Sequence, residues 1–240
     1  MNCALCGSRD KVDIGSKESS FFVRCTQCNL IRIEPHPSDE ALKEYYQNYV
    51  YQERVLKPSR KSFRYRTKIL PMILLHKGKV KRFLDIGCNV GNAVEAARLL
   101  GLDAYGIDVS PSAISNARSL FPKNHYFNET LEDFSRNNLK FDLVFCTEVI
   151  EHIRDLHSFM GALKSILNPG AVLFLTTPDT GHFRVPRKDL LKWRMLSPME
   201  HVALFDKNNI SALFRKYGLK PIFFYPMHRA NMRFYSRNES

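Results

Sequence analysis

Short apolar runs alternate with segments of helical periodicity through most of this chain. The run Phe83-Leu84-Asp85-Ile86 ends at Gly87-Cys88-Asn89-Val90-Gly91, and an Ala- and Leu-rich helical pattern (Ala93, Ala96, Ala97, Leu99, Leu100) follows at once. That order predicts strand, tight turn and helix, with a ligand able to approach the glycine backbone closely. A second strand is expected over Asp103–Val109, ending near Asp108. Pro111 then opens a helix through Leu120, because proline lacks only the N–H that is unpaired in a first turn anyway. The pattern continues with His125–Phe127, the apolar run Phe141–Cys146, a helix over Leu156–Leu167, a turn at Pro169-Gly170 and a strand over Val172–Thr176. A helix over Ile210–Tyr217 ends at Gly218, and strands over Lys220–Tyr225 and Met232–Tyr235 close the chain. Strands separated by helices imply a parallel α/β sheet with right-handed crossovers, and the closing strand pair implies an antiparallel edge.

Before the glycine turn, a helix is expected over Ser62–His76. An earlier one, capped by Ser38 with Asp39 and Glu40 in its first turn, is expected to reach about Tyr51. Its Tyr45, Tyr46, Tyr49 and Tyr51 suit either a lid over the ligand or packing against the core.

The N-terminal segment has a different character. Cys3-x-x-Cys6 and Cys25-x-x-Cys28 form two knuckles whose four thiolates match the tetrahedral preference of zinc, and Gly7 and Asn29 behind them tolerate a left-handed backbone. Phe21–Arg24 reads as a strand entering the second knuckle. Disulfides, or two separate redox pairs, are the other readings of this spacing. A closed four-Cys site leaves no position for water, so a structural zinc ribbon is expected. Cys88 and Cys146 fall outside the spacing. The chain then divides into a zinc ribbon over 1–35, a helical linker or lid over 36–80, and the α/β domain over 81–240.

Composition narrows the class. The 240 residues are 44% hydrophobic and 25% charged, enough for a sizeable core. The longest apolar stretch, Ile69–Leu75, is too short for a membrane span and contains Pro71, and no secretory signal opens the sequence, so a cytoplasmic protein is expected. A net charge of +12 arises from 36 Lys and Arg against 24 Asp and Glu. The excess, dense in 54–82 and 184–194, suits an anionic small molecule as well as RNA.

Asp108 lies 21 residues after Gly87 (108 − 87), where an acid ending the second strand can accept both ribose hydroxyls. A dinucleotide G-x-G-x-x-G would need glycines where Asn89 and Asn92 stand, and a P-loop lysine is missing. Asp85 would repel a pyrophosphate but suits a cationic amine. Adenosine, an amine and no phosphate describe S-adenosylmethionine.

Phe83–Gly91 resembles the first motif of class I S-adenosylmethionine-dependent methyltransferases, and Tyr105–Pro111 their second-strand motif. Leu131-Glu132-Asp133 is similar to the segment bordering the adenine. Phe141–Ile153 resembles the fourth-strand motif of the subgroup that includes ubiquinone-biosynthesis O-methyltransferases, and Leu167–Ala171 with Thr176-Thr177-Pro178 fits the following turn and strand. Residues 1–51 are similar to the zinc-ribbon leader of bacterial glycan and natural-product methyltransferases. Asn89 stands at the middle glycine position and Ala171 at a frequent second glycine, both departures from the pattern.

The resemblance implies a Rossmann-like, seven-stranded, mostly parallel sheet with helices on both faces. It implies cofactor contacts from Asp85, Gly87, Cys88, Asn89, Gly91, Asp108, Val109, Leu131, Glu132 and Thr147. His152 and His201 are the candidate proton acceptors, each equally readable as a structural histidine, with Glu148 and Glu151 behind them. Residues 179–200, carrying His182, Arg184, Arg187 and Lys188, are expected to form a mobile cover over the acceptor. The acceptor itself is expected to be a small molecule, sugar or lipid-linked intermediate. RNA is the alternative, and a non-catalytic binding protein of the same fold the third reading.

Overall fold

The computed structural model describes residues 2–18, 20–38, 58–198 and 200–239, with side chains of the first helix from residue 64 onward. The helix expected between 39 and 51, with its four tyrosines, lies outside the described residues.

The run that opens the glycine turn becomes an interior strand of the larger sheet. Strands β4 (Arg82–Ile86), β5 (Asp103–Ile107), β6 (His125–Phe127), β7 (Phe141–Thr147) and β8 (Leu167–Pro178) run parallel. β10 (Leu219–Phe224) and β11 (Asn231–Asn238) add the antiparallel edge, giving the order β10-β11-β8-β7-β4-β5-β6. The α/β class, the seven strands and the antiparallel edge are therefore as expected. Both faces are apolar because both are covered. One packs on α1 (Pro58–Leu75), α2 (Asn92–Arg98) and α3 (Pro111–Leu120) through Ile69, Met72, Ala97 and Ile114. The other packs on α4 (Leu131–Phe134), α5 (Leu156–Ser165) and α6 (Lys207–Lys216) through Phe134, Phe159, Ile210 and Phe214. The chain proceeds from β4 to β5 on one side and later to β7 on the other. A crevice opens at that reversal beyond the carboxyl ends of the strands, which is where open α/β sheets bind ligands.

Four expectations change. The helix placed over Ser62–His76 begins at Pro58 and ends at Leu75, with Pro71 inside it. The turn predicted at Pro169-Gly170 lies within β8: Gly170 takes φ 75°, and the register with β7 slips between Phe141 and Leu143, so the strand carries an irregularity there and does not stop. A two-residue strand, β9 (Ala203–Leu204), was not expected. It pairs with β3 (Ile31–Ile33) of the N-terminal sheet, whose other strands are β1 (Lys11–Lys17) and β2 (Ser20–Cys25).

The fourth change concerns residues 179–200. Val185, Leu190, Trp193 and Leu196 are buried against Phe22, Ile31 and Ile33, so the segment forms a second small core with the N-terminal sheet. Its apolar residues decide this, since leaving a tryptophan and three aliphatic side chains in water costs several kcal/mol. No helix among the described residues is long and apolar enough to cross a membrane.

Candidate active site

The site grows from the carboxyl end of β4. Gly87 has φ 70°, and a Cβ there would lie 2.6 Å from Val149 Cγ2. Asn89 follows at φ 50°, a conformation Asn tolerates better than other residues with a side chain. Its own Oδ1 accepts a bond from Val90 N at 2.7 Å, so the side chain closes the loop on itself. Gly91, at φ 79°, faces the Tyr126 ring, which an added Cβ would strike.

Asp108, just past β5, ties the loops together. One carboxylate oxygen accepts Asn89 N at 2.8 Å and the other accepts Ser110 N at 2.9 Å. Each oxygen keeps further acceptor capacity. Burial pushes the Asp108 carboxyl up, while the two amide bonds hold it down. Asp85 lies beneath the loop, 4% exposed, with Oδ1 lacking a partner among the described residues. Burial raises its carboxyl well above the usual range, and Asp108 adds to the shift. Two buried acids held near each other favour a cation between or beside them.

A cavity of about 560 Å³ occupies the crevice, a volume suited to a nucleoside-sized ligand. Gly87, Asn89, Asp108, Val109, Leu131, Glu132 and Thr147 line it. Asp85, Cys88 and Gly91 do not. Cys88 is buried toward Gly106, with its thiol pushed up by burial, and Gly91 shapes the loop from behind. None of His182, Arg184, Arg187 and Lys188 lines the cavity either, whereas Glu200 of the same segment does. His182 Nε2 instead bonds Met227 O at 2.8 Å, and Arg184 contacts His228. Sequence reasoning missed Thr130, whose hydroxyl caps α4 by accepting Asp133 N at 3.1 Å, and Ser110; both line the cavity wall. A Thr immediately before Leu131-Glu132-Asp133 is a capping signal that marks the first of these.

His152 and His201 meet at the opposite wall, ring centroids 5.1 Å apart. His201 Nδ1 donates to Met195 O at 2.7 Å, which leaves Nε2 as the acceptor nitrogen. His152 Nδ1 lies 2.7 Å from Glu200 O, and burial, reinforced by His201, holds this ring's pKa down to about 4. Glu151 is fully buried and accepts Thr177 Oγ1 at 2.9 Å; burial, then Glu148, pushes its carboxyl up. Glu148, at φ 55°, accepts Thr176 Oγ1 at 2.7 Å. Glu151, His152 and His201 each present one donor atom within 4.8 Å of the others. His201 reaches this wall because Val202 N donates to Glu151 O and Ile33 N to Val202 O, so the N-terminal sheet helps to set its position.

The four N-terminal cysteines converge as their spacing predicts. Cys3 Sγ lies 3.6 Å from Cys28 Sγ and Cys6 Sγ 3.6 Å from Cys25 Sγ, and all four sulfurs fall within 4.8 Å of one another without a disulfide. Tetrahedral zinc with 2.3 Å bonds separates its sulfurs by about 3.8 Å, so the set fits that ion. The thiols compete for charge, with Cys3 held down to about 4 by Cys28 and Cys28 pushed up in return.

Comparison with known proteins fits this architecture. Residues 58–222 match the family described as "Methyltransferase domain". A ubiquinone biosynthesis O-methyltransferase of Glaesserella parasuis is 36% identical over 106 residues, covering 40% of this chain and 45% of the relative. One of Cereibacter sphaeroides is 29% identical over 150 residues, covering 59% and 61%. The chain thus spans less than two thirds of these relatives' lengths. The solved structure of an S-adenosylmethionine-dependent methyltransferase from Clostridium acetobutylicum superposes with a TM-score of 0.60 at 12% identity, covering 82% of this chain and 99% of that one, a likeness of fold.

Proposed function

Because the chain belongs to the methyltransferase domain family, we propose that it transfers a methyl group from S-adenosylmethionine to a hydroxyl of a small molecule. The observation that carries this reading is Asp108, a buried acid at the β5 terminus whose oxygens keep acceptor capacity facing a nucleoside-sized cavity, in a loop lacking the glycines of a pyrophosphate site. Asp108 would take the ribose hydroxyls, Leu131 and Glu132 would border the adenine, and the acidic field of Asp85 would favour the amine. Cys88 and Gly91 would act by shaping the loop.

When bound, the cofactor supplies an electrophilic methyl group on a sulfonium. The protein's own task is to align the acceptor, exclude water and receive one proton. His201 suits the last role best, since the Met195 carbonyl fixes its Nδ1–H and leaves Nε2 basic toward the cavity wall. His152, neutral and bonded to Glu200 O, positions that wall. We further propose that Cys3, Cys6, Cys25 and Cys28 hold a structural zinc ion, consistent with the sulfur spacing.

The test is a titration with S-adenosylhomocysteine, followed by transfer of labelled methyl into fractionated cell extract. Saturable one-to-one binding and label in the small-molecule fraction are expected, with His201→Ala slowing transfer by roughly 10²- to 10⁴-fold. Failure to bind the nucleoside sinks the enzyme reading, and label confined to RNA overturns the substrate class.

A further inference from the structure

A second cavity, of about 320 Å³, lies on the face of the sheet covered by α1. Pairing places Asp85, Phe145, Phe174 and Tyr235 in one row across β4, β7, β8 and β11. The same register sets Thr147, Thr176 and Arg233 two residues further on, in the next row of the same face. Phe174 and Tyr235 form the floor, and Arg64, Thr67, Lys68, Tyr225 and Arg233 complete the lining. Thr147 also lines the larger cavity, and two inter-strand steps of about 4.8 Å separate it from Arg233. The two cavities are therefore lined from one row of the sheet.

Three cations and no acid line this space. Lys68 Nζ sits 5.0 Å above the Tyr65 ring and 5.9 Å above Phe174, and Arg233 Cζ lies 6.0 Å from Phe174, so aromatic faces hold both head groups in place. Among the described residues, none of the three head groups has a hydrogen-bonding carboxylate or carbonyl, and Arg233 Nε is buried without an acceptor. Burial and the charges of Arg233 and Arg64 depress the Lys68 ammonium, while Asp85 and Glu148 pull on it without touching it. Such a cluster lacks the anion that would satisfy its donors and offset its mutual repulsion. The volume suits one compact group, not a polymer backbone. Tyr225 lines the same wall, and Tyr235 is committed through Oη to Lys68 O at 3.0 Å.

We propose that this cavity binds the anionic end of the methyl acceptor, a phosphate or carboxylate, through Arg64, Lys68 and Arg233. This rests on the methyltransferase reading for the acceptor's identity but not for the anion itself. The acceptor then carries its negative group on the α1 side of the sheet, two strands from Thr147.

The experiment titrates the full chain, saturated with S-adenosylhomocysteine, with inorganic phosphate and separately with acetate, following heat. One saturable anion site is expected, weakened at least tenfold in Arg233→Gln and in Lys68→Gln. Arg233→Lys is expected to retain most of the affinity, and nucleoside affinity should stay within twofold in all three. Saturation by phosphate alone assigns a phosphorylated acceptor, and saturation by acetate alone a carboxylate. Anion affinity equal in the wild type and both glutamine variants, or no saturation by either anion, overturns the proposal. Absent nucleoside binding with intact, Arg233-dependent phosphate binding leaves the anion site standing and removes the methyl acceptor as its occupant.

Discussion

Asp108→Asn separates the cofactor role of this acid from its structural one. In the wild type each carboxylate oxygen accepts one loop amide, from Asn89 at 2.8 Å and from Ser110 at 2.9 Å, and the remaining lone pairs face the cavity. Asparagine keeps one acceptor oxygen and turns the other position into a donor. One ribose hydroxyl then loses a charge-assisted bond of about 1.5–3 kcal/mol, which predicts S-adenosylhomocysteine binding weakened roughly 10- to 150-fold. The same change leaves one loop N–H facing an NH₂ group, at a cost of about 1–3 kcal/mol to folding. Relief of the buried charge, whose burial already pushes the carboxyl up, offsets part of that loss. A melting temperature lowered by a few degrees is expected for a chain of this size. Calorimetric titration with S-adenosylhomocysteine and its 2′- and 3′-deoxy analogues, on wild type and variant, completes a double-mutant cycle. The deoxy analogues should bind the wild type much more weakly than the parent, and the variant by a smaller ratio. If the variant weakens all three ligands by the same factor, Asp108 does not hold the ribose and acts only on the loop.

Three further outcomes follow from the geometry. Gly87→Ala forces a Cβ against Val149 Cγ2 at a φ of 70°, so nucleoside affinity and stability should fall; Val149→Ala in the same chain should restore part of both, and no recovery would place the cost in the backbone alone. Zinc removal by a chelator, or Cys25→Ser, should release one ion per chain and lower the melting temperature. It should also slow transfer, because β3 pairs with β9 beside His201; an unchanged rate in metal-free protein would refute that link. The His152 ring binds its proton at about 4 when folded and at 6.5 when unfolded, so between those values the unfolded state takes up more protons. Stability should therefore decline as pH falls through that window and show no slope from this group above pH 7, and denaturant unfolding of His152→Gln should show a weaker decline.

Much of the site was legible in the chain because its requirements are local. A left-handed backbone at Gly87, Asn89 and Gly91 is a property of those residue types, and the distance from Gly87 to Asp108 is fixed by one helix and one strand. The cysteine knuckles are likewise local, and pairing two of them is forced by the valence of one ion. The irregularity in β8 was misread because Pro169-Gly170 signals a turn whether or not a neighbouring strand continues past it.

Periodicity and spacing by themselves determined the α/β class, the crevice at the strand ends and the acid, Asp108, that lines it. Only the tertiary structure decided where residues 179–200 go and where the cations collect. An apolar stripe states that it will be buried but not against what, and here the partner is a sheet some 150 residues earlier in the chain. Arg64, Lys68 and Arg233 come from opposite ends of the α/β unit, and the register of β11 on β8 puts them in one cavity. Charge density, visible in sequence, draws attention to Arg184 and Lys188. The positions of those charges depend on strand order, which long-range pairing sets.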